Sequence, residues 1–185
     1  MKILLLASGA GSLARAICKA RIPSVEIVAL ISDQKCPALD LGQEFNFPAQ
    51  VIPMPADRLE WDIEMIDAVK KFAPDLVVSV GFMRILSAQF VNEFATINTH
   101  PALLPLFPGA HAVRDALAAQ VQVTGSTVHW VDEGVDTGSI IAQKEIAILE
   151  GDDESALHER IKIAERVLIV ETLTGFALAG IPENR

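Results

Sequence analysis

Short apolar runs alternate with segments of helical periodicity through the first half of the chain. The runs have the length of strands buried on both faces of a parallel sheet, and they cover residues 2–7, 25–31 and 76–80, with a weaker run at 50–52. Helices are predicted between them, over residues 12–19, 38–44, 59–72 and 87–93. This alternation predicts right-handed crossovers and an α/β fold with a doubly wound, mostly parallel sheet.

The apolar positions of two helices indicate which of their faces are buried. In the helix over residues 59–72 the apolar positions are Ile63, Ile66, Val69 and Phe72. In the last helix they are Leu157, Ile161, Ala164 and Leu168. That stripe places Lys162 and Glu165 together on a neighbouring face, where they either bind a ligand or form a surface ion pair.

The pattern changes after residue 110. Residues 123–131 and 139–148 are longer and partly alternating, which predicts an antiparallel member of the sheet in the C-terminal half. Acidic residues at 152–154 mark the start of a last helix that runs to about residue 177. Without repeats or a linker, one domain is expected over residues 1–185, with halves 1–95 and 96–185.

Composition excludes several classes of protein. Apolar residues make up 51% of the 185 residues, which favours a packed core over disorder. The net charge of −9 argues against general binding to nucleic acid. No apolar run approaches the length of a membrane span. Two cysteines without a CxxC motif are typical of reduced thiols, so a cytoplasmic protein is expected.

The stretch from Asn98 to Gly109 is the first candidate site. It follows a short strand at residues 95–97, so Asn98 and His100 should project from the same face. Three prolines between them and Gly109 stiffen the segment. An amide beside an imidazole on a stiff support is typical of a site, and the alternative is a turn with a hydrogen-bonded histidine.

The turn between the first strand and the first helix is the second candidate. Residues 8–14 match the relaxed G-x-G-x-x-A pattern, and Asp33 ends the next strand where a ribose-binding acid stands in dinucleotide enzymes. Gly9 and Gly11 let the backbone approach a ligand, and the helix N-terminus offers N–H groups to an anion. A phosphate site in a Rossmann-like half is favoured. A nicotinamide oxidoreductase that uses Gly9, Gly11 and Asp33, and a turn without a ligand, are the alternatives.

Asp136, Thr137 and Gly138 spell the aspartic-protease signature. Such an enzyme would pair two carboxylates across a dimer. Here the triplet follows a turn-like stretch in a chain whose first half is α/β, which disfavours a protease.

Taken together, the motifs of both halves resemble the folate-dependent formyltransferases. The resemblance runs nearly end to end. It rests on Gly9-Ala10-Gly11-Ser12, Gly81-Phe82-Met83-Arg84-Ile85-Leu86, Asn98-x-His100-Pro101-x-Leu103-Leu104-Pro105-x-x-Pro108-Gly109, Thr124-Gly125-Ser126-Thr127-Val128-His129 and Asp132-Glu133-x-x-Asp136-x-Gly138. Some relatives carry an extra domain, for which 185 residues are expected to leave no room.

The resemblance implies a reaction and a set of roles. The formyl group of 10-formyltetrahydrofolate would pass to the amine of 5-phosphoribosylglycinamide, a step of purine synthesis that needs no metal. Asn98 would donate to the formyl oxygen, His100 would stabilise the oxyanion and transfer a proton, and Asp136 would keep His100 charged and move the amine's proton. Preorganised donors at the oxyanion are what acyl transfer to an amine requires.

The same resemblance implies the binding residues. The folate would contact Arg58, Met83, Arg84, Ile85, Leu86, Val91, Ile97 and Asn98. The substrate phosphate and ribose would contact Gly11, Ser12, Leu13, Lys162 and Glu165, which makes residues 1–95 the phosphate-binding half and 96–185 the folate-binding and catalytic half. The family commonly has Asn where Leu13 stands, so that phosphate contact would either come from the backbone or be absent.

Several alternatives stay open. His129 either orients the site or is simply packed, and Arg84 is either a ligand or a solvated cation. A formyltransferase with a different amine acceptor, the nicotinamide oxidoreductase and a non-catalytic folate or phosphate binder are the competing functions. The partners expected are small molecules, with no nucleic acid and no membrane, and a homodimer is left open.

Overall fold

The computed structural model of the protein describes residues 1–182, which divide into two compact units after Ile97. The first unit contains β1 (Lys2–Leu6), α1 (Ser12–Ala20), β2 (Glu26–Ser32), a 3₁₀ turn (Pro37–Leu39), α2 (Asp40–Phe45), β3 (Ala49–Val51), α3 (Arg58–Lys70), β4 (Leu76–Ser79) and α4 (Ala88–Glu93). The chain crosses to the second unit within β5 (Thr96–His100). The second unit continues with α5 (Ala112–Ala118), β6 (Val123–Trp130), β7 (Ile140–Ala147) and α6 (Glu154–Ala179).

The strands of the first unit are parallel, in the order β3-β2-β1-β4. Residues 3–6 of β1 have no exposed surface, and the strand has a hydrogen-bonded neighbour on each side. This arrangement explains why the strand is a continuous apolar run rather than an alternating one. The carboxyl end of β1 leads into the glycine turn, and the carboxyl end of β2 leads to Asp33.

The buried face of α3 agrees with the predicted one in part. Ile66 and Val69 are buried as predicted, whereas Ile63 is 51% exposed and Trp61 and Met65 are buried in addition. Phe72 lies beyond the end of the helix and is half-buried. The indole N–H of Trp61 donates to the carbonyl of Ile52 at 2.9 Å, which turns that edge of the helix inward. The helix begins after Asp57, whose carboxylate accepts from the amide of Leu59.

In the second unit β6 and β7 are antiparallel, as predicted for the C-terminal half. The long helix α6 packs against both strands, and its predicted stripe is buried at Leu157, Ile161, Ala164 and Leu168. Asp153 caps the helix by accepting from the amide of Ala156. The short helix α5, which sequence reasoning missed, has seven residues and no side-chain cap at its N-terminus.

The α/β fold with a mixed, mostly parallel sheet is therefore confirmed. Within residues 1–182, no helix combines the length and the apolar character that a bilayer crossing requires.

Candidate functional site

Asn98 and His100 both lie in β5, at positions that share one face of the strand. The segment after the strand is fixed by hydrogen bonds within the second unit. The Thr127 hydroxyl donates to the carbonyl of Ala102 at 2.7 Å and accepts from the amide of Leu104 at 3.1 Å. The amide side chain of Gln143 donates to the carbonyl of Leu104 at 2.8 Å. This support leaves the backbone beyond His100 little freedom to move.

Asp136 lies between two imidazole rings. Its Oδ2 atom is 3.3 Å from Nδ1 of His100, and its Oδ1 atom is 3.4 Å from Nε2 of His129. The amide of Gly109 also donates to Oδ2 at 2.8 Å. Burial acts to raise the pKa of Asp136, but hydrogen bonds from His129 with Nε2 protonated and from Gly109, together with the positive charge of either histidine when it is protonated, lower it below its ordinary value. The carboxylate is therefore ionised at neutral pH.

His100 is 4% exposed, and both of its ring nitrogens face acceptors. Its Nε2 atom is 2.8 Å from the carbonyl oxygen of Phe107, and Nδ1 faces Asp136. Burial lowers the pKa of His100 below its ordinary value, while Asp136 and the Phe107 carbonyl act in the opposite direction. Asp136 thus favours the charged ring, but burial has the larger effect, and the unliganded ring is predominantly neutral at pH 7.

Asn98 is the half-buried member of this group and is oriented by His129. The Nδ1 atom of His129 lies 2.8 Å from the carbonyl oxygen of Trp130, so Nδ1 carries a proton. The Nε2 atom lies 3.3 Å from Nδ2 of Asn98 and 3.4 Å from Oδ1 of Asp136. When Nε2 is unprotonated it accepts one of the two hydrogens of the Asn98 amide, and when Nε2 is protonated it donates to Asp136 instead. Asn98, His100, His129 and Asp136 therefore form one cluster of polar side chains in contact.

The glycine turn belongs to the first unit. Gly11 has φ +71°, and a Cβ atom there would stand 2.7 Å from Cβ of Ala38, so only glycine fits. Ser12 is exposed at the start of α1, which has no side-chain cap. Leu13 is 8% exposed and packs into the core, so any anion contact at that position comes from the backbone.

Asp33 is bound within the protein. Its two carboxylate oxygens accept from the Ser8 hydroxyl at 2.6 Å and from Nε of Arg84 at 2.7 Å. The side chain is 1% exposed, so it cannot reach a ribose. A nicotinamide oxidoreductase is therefore disfavoured, because its proposed ribose-binding acid is not available to a ligand. Arg84 is an ion-pair partner rather than a freely solvated cation.

The residues predicted to contact folate differ in exposure. Met83 and Ile85 are 74% and 61% exposed, Val91 is half-buried, Leu86 is largely buried and Ile97 presents no surface at all. Arg58 donates to Asp62 at 2.7 Å and to the carbonyl of Ile85, and its guanidinium lies 4.9 Å from the centre of the Trp61 ring. These contacts join the start of α3 to the loop over residues 81–87.

Lys162 and Glu165 do not form the surface ion pair considered above. Lys162 donates to Glu159 at 2.7 Å, and Glu165 is only 5% exposed. Burial raises the pKa of Glu165 to about 7, against the opposing charges of Lys162 and Arg166. That interpretation is wrong because residue 165 faces inward from α6 while residue 162 lies nearer to solvent.

Residues 1–173 of the chain match the formyl transferase family. The chain belongs to the formyl transferase family. It is 47% identical to phosphoribosylglycinamide formyltransferase of Mycobacterium tuberculosis over 187 aligned residues, which cover 97% of this chain and 86% of the relative. The resemblance that the sequence motifs carried is thereby confirmed, and this formyl transferase is an enzyme rather than a non-catalytic binder.

Solved structures give the same result for the fold of the formyl transferase. Glycinamide ribonucleotide transformylase 1 from Symbiobacterium toebii superposes with a TM-score of 0.92 at 33% identity, covering 100% of this chain and 92% of that one. Phosphoribosylglycinamide formyltransferase from Bacillus halodurans has a TM-score of 0.92 at 32% identity, covering 100% and 99%.

Two sets of contacts among the candidate residues were not predicted with a definite role. His129 could be placed on a strand, but its contact with Asn98 spans 31 residues of the sequence, and its contact with Asp136 spans a turn. The contact of Ser8 and Arg84 with Asp33 was missed, although a charged residue at the end of a buried strand was a signal for it. Among residues 1–182, no group of three or more His, Cys, Asp or Glu side chains is placed to hold a metal ion.

Proposed function

We propose that this formyl transferase moves the formyl group of 10-formyltetrahydrofolate to the amine of 5-phosphoribosylglycinamide in purine synthesis. The amine attacks the formyl carbon, a tetrahedral intermediate forms, and the carbon–nitrogen bond to folate breaks as the folate nitrogen accepts a proton, which balances the proton that the amine loses. The amine is itself the nucleophile, so the protein has to supply hydrogen-bond donors and a route for protons. Support comes from the names of the relatives and from the cluster around Asp136.

The observation that carries the proposal is the oriented amide of Asn98 beside the ionised Asp136. In the tautomer with an unprotonated Nε2, His129 accepts one hydrogen of the Asn98 amide, and the second hydrogen is the donor for the formyl oxygen. Such a donor is weakly used by the neutral carbonyl and strongly used by the oxyanion, which is the condition for lowering the barrier.

His100 is the second donor to the oxyanion in this proposal. Its Nε2 atom is bonded to the carbonyl of Phe107, so that bond must be exchanged for one to the ligand. Negative charge on the oxyanion favours the imidazolium form and offsets the lowering of its pKa by burial. Asp136 then takes the proton of the attacking amine, directly or through water, and holds the charged ring.

The binding residues are proposed for each ligand separately. Folate would contact Arg58, Val91, Asn98 and the loop that carries Met83, Arg84, Ile85 and Leu86, with Ile97 acting only through packing. The substrate phosphate would bind backbone N–H groups at Gly11, Ser12 and Leu13, and Lys162 and Glu165 would contact phosphate and ribose. The free thiols of Cys18 and Cys36 fit the cytoplasmic location proposed with this reaction.

The experiment is an absorbance assay of tetrahydrofolate formation from 10-formyltetrahydrofolate with 5-phosphoribosylglycinamide as acceptor. We expect saturable turnover that depends on both substrates. Glycinamide without the ribose phosphate and other primary amines serve as alternative acceptors. Faster turnover with one of these acceptors would assign the enzyme to another amine. A saturable change in NADH fluorescence without formyl transfer would overturn the proposal in favour of an oxidoreductase.

A further inference from the structure

Ser8, at the head of the glycine turn, is bonded through every polar group it has. Its backbone N–H donates to the carbonyl of Gly81 at 3.0 Å, and its carbonyl accepts from the Gln34 side chain at 2.7 Å. Its hydroxyl donates to Asp33 at 2.6 Å and accepts from the amide of Met83 at 2.9 Å. A residue that is 3% exposed and bonded on all sides has one conformation only.

The carboxylate of Asp33 is the centre of these contacts. One oxygen accepts from Ser8 and the other from Nε of Arg84. A carboxylate with 1% of its side chain exposed is stable only while such partners stay in place, because an unpaired buried charge is very costly. Asp33 therefore penalises any movement of Ser8 or Arg84 away from it.

The two partners of Asp33 belong to different loops of the first unit. Ser8 opens the turn that leads to Gly11 and Ser12, and Arg84 lies in the loop over residues 81–87. In the proposed function the turn binds the phosphate of the amine substrate and the loop binds the folate. Nothing in that function requires a buried carboxylate beneath them both.

We infer that Asp33 is a positioning residue. Through Ser8 and Arg84 it fixes the phosphate-binding turn and the folate-binding loop in position relative to each other. The inference rests on the proposed function for the identity of the two ligands. The geometry behind the inference is one buried carboxylate shared by two loops, and this geometry is independent of the proposed function. Loosening this carboxylate should therefore weaken binding of both substrates together, while the cluster around Asp136 in the second unit keeps its geometry.

Hydrogen exchange of the unliganded protein tests the positioning directly. In Asp33→Asn the charge is lost, and in Ser8→Ala the acceptor for the Met83 amide is lost. The Met83 amide loses its acceptor in Ser8→Ala, and in Asp33→Asn that acceptor loses its charged partner, so we expect this amide to exchange at least about tenfold faster in either variant. Peptides from the turn after Ser8 should also exchange faster in Asp33→Asn, and those of β1 and β4 should not.

Steady-state kinetics tests the consequence for function. We expect Asp33→Asn to raise KM for both substrates by about tenfold, with kcat reduced by less than about threefold. A purely structural loss would lower the active fraction and hence kcat, and it would leave both KM values unchanged. Glu44→Gln is the matched control, because it breaks the Arg15–Glu44 ion pair of the same unit, and it should change neither readout.

Each outcome decides the inference. Unchanged exchange at Met83, or faster exchange across the whole first unit, would overturn it. A rise of KM for one substrate alone would overturn the claim that one carboxylate serves both loops. If the wild-type protein failed to transfer formyl groups to 5-phosphoribosylglycinamide, the proposed function would fall, and the exchange data would still decide whether Asp33 holds the two loops.

Discussion

Glu165 offers a test in which the structure gives both the sign and the size of the effect. Its carboxyl is buried in α6, and burial raises its pKa from an ordinary 4.5 to about 7. Below pH 4.5 the group is neutral in the folded and the unfolded chain. Between pH 4.5 and 7 only the folded chain holds the proton, so the free energy of unfolding falls as the pH rises.

The expected magnitude follows from that shift. At about 1.4 kcal/mol per pKa unit, Glu165 removes up to about 3 kcal/mol of stability between pH 4.5 and pH 8. Glu165→Gln cannot ionise, so it avoids this loss. The difference in unfolding free energy between variant and wild type should therefore favour the variant by up to about 3 kcal/mol more at pH 8 than at pH 5.

Urea unfolding of both proteins at pH 5 and pH 8, followed by circular dichroism, measures this difference. Glu171→Gln is the control, because it changes an exposed glutamate of the same helix, and it should alter stability by less than about 0.5 kcal/mol at either pH. A Glu165→Gln difference that is the same at both pH values would refute the reasoning. A carboxylate that costs stability at neutral pH fits the proposed contact with ribose, because functional groups are often kept at such a cost.

Three further predictions concern other parts of the molecule. Asp136→Asn should lower kcat by about 10²–10⁴, as expected for a positioned acid–base group. The double variant with His100→Ala should lose far less than the product of the single losses, and fully multiplicative losses in steady-state kinetics would show that the two residues act independently. Gly11→Ala should lower the free energy of unfolding by about 1–3 kcal/mol, because its Cβ would stand 2.7 Å from Cβ of Ala38 at positive φ. Gly9→Ala, where nothing lies within 4 Å of a Cβ, is the control in thermal unfolding, and equal losses would contradict this account. Asp153→Ala should cost about 1 kcal/mol through loss of the cap of α6, and a change of less than about 0.3 kcal/mol in urea unfolding would show that the cap contributes little.

The elements that sequence reasoning located correctly are those in which burial is uniform along the chain. β1 is apolar at residues 3–7 because each of them has no exposed surface, and the stripe of α6 is apolar because one face meets β6 and β7. α3 shows the limit of the method. Both Ile63 and Met65 are apolar, and Met65 is the buried one because the hydrogen bond from the Trp61 indole to the carbonyl of Ile52 turns its side of the helix inward. The pattern of apolar positions in the sequence cannot reveal this hydrogen bond.

The same limit applies to the site. Asn98 and His100 could be paired from their spacing in one strand, because the period of a strand is fixed. The partners of Asp33, Lys162 and His129 depend on which side chains the tertiary fold brings within 3.5 Å, and the sequence offered two choices for each. For Asp33 burial decides the partners, since a charge without access to water must find a partner within the protein, whereas Lys162 pairs with an exposed glutamate.

The central claim is that the Asn98 amide donates to the formyl oxygen in the transition state. Steady-state kinetics of Asn98→Asp, with folding checked by circular dichroism, tests it most directly, because the substitution is nearly isosteric and replaces the donor with a negative charge. One donor of this kind is worth roughly 10²–10³ in kcat, and the reversed charge should push the loss beyond that, with KM for both substrates little changed. A variant with near-native kcat and a raised KM would show that Asn98 only holds a substrate, which would contradict the proposed mechanism.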